Sequence, residues 1–366
     1  EYNPTSTAFI DPSVVVKGDE IYLLVDLYPY GIALNGSGNT PPSTQVGFNS
    51  EGKLLLSDNE HVSYDYYLDG NAIFSSDGVM REDYCVDNKF NLYSVNNQTL
   101  TYVSNLFFSD SPFKVVRTGY LYLTKSYDKG NTWSDPLLIN NAKRSDEQVC
   151  LVAPGKGLVT SFGRIIFPIY KYNGSAESQV MGFLWSDDGM NWNRVDTTMG
   201  SWSSESTVME LGDGTLRFFY RNSSTYLSYI DYQWETGWSN SVQTEIHINS
   251  NTQLSALVYS KKVAGKQVIL VAASQGPTAE GSNDSSAGAR KNGKIFIGLL
   301  NEDKTISWQL DKTGSVPSIN TTDSFMYSSM SEYGDGNIAI LYEDHESGWG
   351  AGEDKFYQMS FKTYAS

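Results

Sequence analysis

Five side chains in the second half of the chain are of types that can bind and transform an anionic substrate. The stretch SSESTVMELGDGTLRFFYR carries Glu205 before a predicted hairpin and Arg221 at its end, and Arg290 follows in AGARKNG. Tyr327 lies in SFMYSSMSE and Glu343 in ILYEDHE. A guanidinium group can clamp a carboxylate in a fixed plane, and a glutamate can deprotonate an attacking tyrosine hydroxyl. These residue types could therefore hold a carboxylate and supply a nucleophile with its base.

Each candidate also has an ordinary structural meaning when it is taken alone. An arginine at a strand end, such as Arg221, is most often a surface or ion-pair residue, and Arg290 in a Gly- and Ser-rich loop could be a solvated charge. Tyr327 is one of 25 tyrosines. Glu205 could start a strand, and a sixth candidate, Asp11, could be a turn or strand-edge residue. Only the ordered set, with its members in separate structural units, indicates one site.

A short repeated pattern indicates how these residues are positioned. Asp-x-Gly-x-x-Trp begins at Asp128 and at Asp187, and a weaker form begins at Asp303. In such a box the aspartate accepts hydrogen bonds from turn amides, the glycine permits a positive φ and the tryptophan packs against its own sheet. The pattern predicts a folding element and carries no chemistry.

Strand signals fill the chain and helix signals are few. Turns such as Gly18-Asp19 join pairs of apolar runs, and five units of strand, turn, strand, loop and strand occupy roughly 8–133, 150–192, 202–238, 250–308 and 323–366. A repeat of small antiparallel sheets is the signature of a β-propeller. We predict an all-β fold, with residues 1–366 forming one propeller domain and a β-rich insertion at about 31–117.

Composition excludes several classes of partner. With 26 basic against 42 acidic residues, the chain carries a net charge of −16, so nucleic acid is not an expected partner and an anionic substrate needs a local basic cluster. No apolar run approaches the roughly 20 residues of a membrane span. Cys85 and Cys150 show no zinc spacing, and we expect neither a metal nor a cofactor. Whether these two cysteines pair is left open.

The boxes and the ordered site residues together resemble the sialidase (neuraminidase) family, of bacterial and trypanosomal type, over nearly the whole chain. The Glu-to-Arg hairpin is its specific motif, which matches Glu205 to the family's catalytic glutamate and Arg221 to the second arginine of its triad. AGARKNGKIFIG matches the strand of the third arginine, here Arg290, and SFMYSSMSE matches the strand of the nucleophilic tyrosine, here Tyr327. The resemblance thus assigns one role to each member of the set.

Two further residues enter through the same resemblance. FIDPSVVVKG resembles the family's second blade, whose aspartate, here Asp11, contacts the sugar, and Glu343 matches the glutamate that supports the first arginine. The family has six blades, of which about five are recognisable, and the chain opens inside what resembles the second. The first arginine and the acid/base aspartate are not found, which implies a longer protein or a lost blade. Without them Glu343 would lack its arginine and the leaving group its proton donor.

The resemblance implies an exo-α-sialidase, secreted or at the cell surface, that hydrolyses terminal sialic acid from glycoproteins and glycolipids. Sialic acid carries a carboxylate on its anomeric carbon, so a carboxylate nucleophile would be repelled, whereas a neutral tyrosine would not. Sialidases are the known tyrosine-nucleophile exception among glycosidases. The outcome would be retention through a glycosyl-tyrosine intermediate.

Three other functions stay open at this point: a sialic-acid-binding or inactive homologue, a trans-sialidase, and a propeller scaffold for protein partners. Trypanosomal trans-sialidases carry a tryptophan two residues before their third arginine, where this chain has Gly288. Glycine offers no stacking surface for an acceptor sugar. We therefore expect hydrolysis in preference to transfer, unless Tyr28 or Tyr30 supplies a stacking surface; attack by the sugar's own hydroxyl is not excluded by Gly288.

Overall fold

The structure is a computed structural model that describes residues 7–30, 45–58, 63–175, 178–200, 202–278, 280–284, 286–309, 318–344 and 358–365, with the backbone alone at 287, 318–323 and 358. Strand, turn and bend account for most of this chain, and the short 3-10 helix Ala287–Ala289 precedes Arg290. The prediction of an all-β fold is confirmed.

The strands alternate with short connections along the chain. The first fifteen are β1 Ala8–Lys17, β2 Glu20–Tyr28, β3 Leu54–Ser57, β4 Tyr66–Asp69, β5 Ala72–Ser75, β6 Tyr84–Val86, β7 Asn91–Asn96, β8 Thr99–Asn105, β9 Lys114–Val115, β10 Tyr120–Ser126, β11 Leu137–Leu138, β12 Val149–Val152, β13 Gly155–Lys156, β14 Leu158–Val159 and β15 Ile165–Tyr172. The others are β16 Val180–Ser186, β17 Asn193–Asp196, β18 Ser206–Glu210, β19 Leu216–Tyr220, β20 Tyr226–Gln233, β21 Gly237–Trp238, β22 Val242–His247, β23 Ser255–Val263, β24 Lys266–Ser274, β25 Lys291–Leu300, β26 Ile306–Trp308, β27 Ser318–Ser324, β28 Met326–Tyr333, β29 Asn337–Asp344 and β30 Gln358–Tyr364.

The predicted hairpins form with the predicted turns. In β1 and β2, Lys17 pairs with Glu20 across a turn in which Gly18 has a φ of 63°. Strands β18 and β19 pair from Ser206–Tyr220 to Glu210–Leu216. Glycine suits these tight turns because it has no Cβ and can adopt a positive φ without a steric clash with the backbone. Local turn chemistry therefore sets the register of these hairpins.

The chain divides into two compact units. The first contains Glu1–Val152, Tyr170–Gln179 and Leu184–Val195. Within it, one sheet has the order β11-β10-β2-β1, and residues 54–115 form two small sheets with the orders β5-β4-β3-β9 and β6-β7-β8. Apolar side chains of these small sheets share a core with Leu27 and Tyr120. The predicted insertion thus contains sheets of its own, while its limits and the single-domain assignment stay predictions.

The second unit contains Ala153–Ile169, Val180–Phe183 and Asp196–Ser366. Its sheets have the orders β18-β19-β20-β21, β23-β24-β25-β26 and β28-β29-β30, and β22 and β27 pair with β20 and β25. A further sheet has the order β12-β15-β16-β17. A boundary between the two units falls within β15, and another falls within β16. One core joins β19 to β24 through Phe219 and Ile269, and another joins β24 to β29 through Leu270 and Ile340. These cores fix the strand ends that carry five of the six candidate site residues.

The Asp boxes act as turns, with one correction of position. In the first box Asp128 Oδ1 accepts a hydrogen bond from the backbone N–H of Thr132 at 2.8 Å. In the second box the aspartate that holds the turn is Asp188 and not the predicted Asp187: its Oδ1 accepts N–H bonds from Met190 and Asn191, each at 2.8 Å. These bonds hold the pKa of the Asp188 carboxyl well below its usual range.

A serine explains the shift by one residue. Ser126 Oγ accepts the N–H of Gly130 at 2.7 Å, and Ser186 Oγ accepts that of Gly189 at 2.8 Å. The spacing between the serine and the aspartate is the same in both boxes. The glycine of the second box follows its aspartate one residue sooner, so the second turn is one residue shorter. Of the box tryptophans, those at 192 and 308 are buried as predicted, whereas Trp133 is 44% exposed and does not pack as expected.

Candidate functional site

Glu205 and Arg221 lie opposite each other at the open end of the β18–β19 hairpin. The N–H of Arg221 donates to the carbonyl of Glu205 at 2.8 Å, which extends the ladder by one pair. Arg221 Nη1 then donates to Glu205 Oε2 at 2.9 Å. Glu205 is 3% exposed, so this is a largely desolvated ion pair. The hairpin register brings the two predicted residues into direct contact.

Asn251, which sequence reasoning missed, binds the other edge of the Arg221 guanidinium. Its Oδ1 accepts a hydrogen bond from Arg221 Nε at 3.0 Å and a second one from Nη2. A lone asparagine in a loop thirty positions along the chain from Arg221 belongs to no motif that could have identified it. The arginine is thus held between a carboxylate and a neutral amide.

Arg290 and Tyr327 meet where β25 and β28 begin. The N–H of Phe325 donates to the carbonyl of Arg290 at 2.8 Å. The guanidinium carbon of Arg290 lies 5.7 Å from the centroid of the Tyr327 ring, and Nη1 is 4.0 Å from Met326 Sδ. A guanidinium over an aromatic face is an attractive arrangement. The third arginine and the tyrosine predicted from separate sequence segments are therefore neighbours.

Arg290 is a buried cation that forms no ion pair within the described part of the chain, and its interactions with the carboxyls of Asp284 and Glu343 are longer-range electrostatic ones. Only 7% of the residue is exposed, no carboxylate described here lies within ion-pair distance, and its buried Nε has no hydrogen-bond partner there. Burying an unpaired charge is costly, and it is found where the charge serves a ligand or a partner. In a chain with a net charge of −16, this cation is suited to an anionic ligand.

Glu343 connects the two pairs electrostatically. On β29 it pairs with Met326, directly beside Tyr327. Burial raises the pKa of the Glu343 carboxyl to about 7; Arg290 acts to lower the pKa, and the negative charge of Glu205 acts to raise it. Glu343 is therefore close enough to both Arg290 and Glu205 for their charges to act on its carboxyl. That Arg221 and Arg290 converge on one anion site stays a prediction.

The raised pKa of Glu343 makes the stability of the chain depend on pH. Its pKa is about 7 in the folded chain, against an ordinary value of 4.5, so the folded state keeps a proton that the unfolded state has already lost. Stability therefore falls as the pH rises between these values. We expect Glu343→Gln to leave the free energy of unfolding unchanged near pH 4 and to raise it by about 2 kcal/mol at pH 8.

Urea unfolding of the wild type and the variant across that pH range checks this expectation. Glu302→Gln, at an exposed turn of the same unit, is the matched control. A difference between wild type and Glu343→Gln that stays constant with pH would contradict the expectation.

Two β-bulges carry the candidate residues Tyr327 and Asp11. The pairing of β28 with β29 shifts between Met326 and Ser329, and Tyr327 has a φ of 46°. The pairing of β1 with β2 shifts in the same way between positions 10 and 13, and Asp11 has a φ of 54°. A β-bulge changes the direction in which a side chain points. A positive φ at a residue other than glycine is strained and persists where the surrounding structure enforces it, often at functional sites. In both sheets, a candidate residue therefore lies in a β-bulge and has a positive φ.

Asp11 lies in the first unit, close to Tyr28. Burial raises the pKa of Tyr28 well above its ordinary value, and the charges of Asp26 and Asp11 add to this effect. Tyr28 and Tyr30 are 0% and 8% exposed, so neither offers a stacking face to solvent. The roles that the resemblance assigns to Asp11, as a contact of the sugar, and to Glu205, as the catalytic glutamate, stay predictions.

The other expectations concern cysteines, metals and membranes. Cys85 and Cys150 are both free thiols. Over the described ranges no group of three or more His, Cys, Asp or Glu side chains could hold a metal ion. No helix in the same ranges has the length and apolar character needed to cross a membrane.

Comparison with known proteins gives a consistent set of relatives. Residues 94–340 match the family model of the BNR repeat-like domain. The anhydrosialidase of Macrobdella decora is 30% identical over 393 residues, which cover 95% of this chain and 48% of that protein. The chain therefore spans about half the length of this curated relative.

Two solved structures are similar over 99% of the chain. The intramolecular trans-sialidase from Ruminococcus gnavus, solved with oseltamivir carboxylate, has a TM-score of 0.79 at 30% identity, and 78% of it is covered. The leech intramolecular trans-sialidase, solved with 2,7-anhydro-Neu5Ac prepared by soaking with 3'-sialyllactose, has a TM-score of 0.78 at 28% identity, and 56% of it is covered. The chain belongs to the sialidase family, and its all-β fold is the β-propeller type of that family.

Proposed function

We propose that the chain carries the sialic-acid site of an exo-α-sialidase that acts on terminal sialic acid of glycoproteins and glycolipids. The observation that carries the proposal is the buried Arg290 guanidinium, which forms no ion pair at contact distance among the described residues and lies over the Tyr327 ring. A sialoside brings the missing carboxylate on the carbon that must react. Such glycans lie outside cells, so a secreted or cell-surface location is part of the proposal.

The site residues divide the chemistry as follows. Arg221 and Arg290 bind the carboxylate of the sugar, which places its anomeric carbon near the Tyr327 hydroxyl. Tyr327 attacks that carbon while Glu205 accepts the phenolic proton, and the bond to the glycan breaks. The departing oxygen takes a proton from the family's acid/base aspartate. A second nucleophile then releases the sugar from Tyr327 with net retention.

The second nucleophile decides the product. Water gives free sialic acid, the product of hydrolysis. A hydroxyl of the bound sugar itself would give an anhydro-sialic acid, and this second candidate is favoured by the relatives whose names specify anhydrosialidase or intramolecular transfer. Transfer to a separate acceptor needs a surface that holds the acceptor sugar. Gly288 has no side chain and supplies no such surface, and Tyr28 and Tyr30 are buried.

We expect sialyl-lactose to be a minor product when a sialoside donor is incubated with excess lactose. The experiment uses a form of the protein in which the acid/base aspartate is present, and chromatography quantifies free sialic acid, anhydro-sialic acid and sialyl-lactose. Free or anhydro-sialic acid as the main product supports a sialidase and identifies its second nucleophile. Sialyl-lactose as the main early product would exclude both candidates, and binding without turnover would indicate a lectin-like homologue.

A further inference from the structure

The loop between β22 and β23 contacts the immediate surroundings of both proposed substrate-binding arginines. Asn249 is fully buried in this loop. Its Nδ2 donates to the carbonyl of Ala289, the residue before Arg290, at 2.7 Å, and to the carbonyl of Asp284 at 3.2 Å. Its Oδ1 accepts the N–H of Asn251 at 3.0 Å. One side chain therefore ties the backbone before Arg290 to the backbone of Asn251.

Asn251 completes the connection to the other arginine. Its Oδ1 accepts from Nε and Nη2 of Arg221, and its Nδ2 donates to the carbonyl of Asn283 at 3.1 Å. Because the amide nitrogen is bonded to a carbonyl, the oxygen must face the guanidinium. The backbone pairing of Asn249 with Ser282 holds the two loops together. A continuous chain of hydrogen bonds thus runs from Arg221 to the residue before Arg290.

The choice of an amide over a carboxylate has an electrostatic reason. Arg221 already pairs with Glu205, and a second carboxylate would bind the guanidinium more strongly. It would also cancel the positive potential that an incoming anion needs. A neutral acceptor orients the planar fork of the arginine without reducing the charge of the site.

We propose that Asn249 and Asn251 are positioning residues, which set the spacing and orientation of Arg221 and Arg290 for the carboxylate of the substrate. The inference rests on the proposed function, because it assigns that function's anion site to these two arginines. It adds a requirement that the family motifs do not contain, since neither asparagine belongs to the box or hairpin patterns.

Two measurements on the same variants test the proposal. The first is the affinity for the 2,3-unsaturated analogue of sialic acid, measured by calorimetry. The second is the rate of phenylglyoxal modification at Arg221, followed by peptide mass spectrometry, which reports the protection of the guanidinium without any ligand. The variants are Asn251→Ala, Asn251→Asp and Asn249→Ala. The control is Asn301→Ala, whose side chain bonds to Thr305 and Ser307 in the turn between β25 and β26.

We expect Asn251→Ala to weaken analogue binding about 10- to 100-fold, the loss for hydrogen bonds to a charged group, and to make Arg221 more reactive. Asn249→Ala should weaken binding in the same direction. Asn251→Asp should keep Arg221 protected and still lose about ten-fold in affinity, which a purely structural role would not produce. Asn301→Ala should change neither quantity.

The outcomes separate the two proposals. An Asn251→Asp variant that binds the analogue as tightly as the wild type would overturn the inference, and so would an Asn251→Ala variant in which Arg221 stays as protected as before. If the wild type fails to bind the analogue, the proposed function is wrong, while the modification rates still decide whether Asn251 orients Arg221.

Discussion

Tyr327→Phe should abolish covalent trapping of the protein by a fluorinated sialoside. The substitution removes one oxygen, the atom that would bond to the anomeric carbon, and leaves the ring under Arg290, from which its centroid lies 5.7 Å. Loss of a nucleophile lowers turnover by about 1,000-fold or more. The expected result is therefore no glycosyl adduct in the intact mass and no measurable early turnover, with binding of the unsaturated analogue retained.

The experiment uses a form of the protein in which the acid/base aspartate is present. It also needs a matched control variant. Tyr127→Phe is suitable, because Tyr127, directly before the first Asp box, is 61% exposed and has no part in the proposed chemistry. Peptide mapping of the wild-type adduct must locate the sugar on Tyr327. An adduct on another residue, or full trapping of Tyr327→Phe, would rule out the proposed nucleophile.

Arg290→Ala should weaken binding of a sialic acid analogue by about 2–4 kcal/mol, the range for breaking a desolvated charge pair, or roughly 30- to 1,000-fold. The reason is the environment of Arg290, which is 7% exposed and has no ion-pair partner among the described residues. The affinity of Arg290→Lys should lie between those of the wild type and Arg290→Ala, because lysine keeps the charge and loses the bidentate fork.

Arg221→Ala should lose affinity in the same range, for a second reason as well. Without Arg221, the carboxylate of Glu205 loses its 2.9 Å ion pair and repels the incoming anion. Arg81→Ala is the control, since Arg81 pairs with Asp83 in the first unit and has no part in the proposed anion site. Calorimetric titration at one ionic strength measures all four variants. Affinities of Arg290→Ala and Arg221→Ala within two-fold of the wild type would contradict a shared anion site.

Local patterns in the sequence predicted much of this fold. Turn residues such as Gly18 and the alternation of apolar residues determine each hairpin, because neighbouring strands pair with little loop to close. The same locality explains the ion pair of Glu205 with Arg221, which follows from the β18–β19 register. The turn of the Asp128 box was also predicted correctly, since its bonds lie within a few residues, whereas the packing of its Trp133 was not.

The sequence by itself determined the strand units, the turns and which residue types could form an anion site. Tertiary structure alone decided how these residues are arranged. The unpaired burial of Arg290, the raised pKa of Glu343 and the contact of Asn251 with Arg221 depend on segments far apart in the chain. The bulge that aims Tyr327 depends on how β28 pairs with β29. Burial and electrostatic environment arise when separate sheets pack, and no pattern of a few consecutive residues encodes that packing.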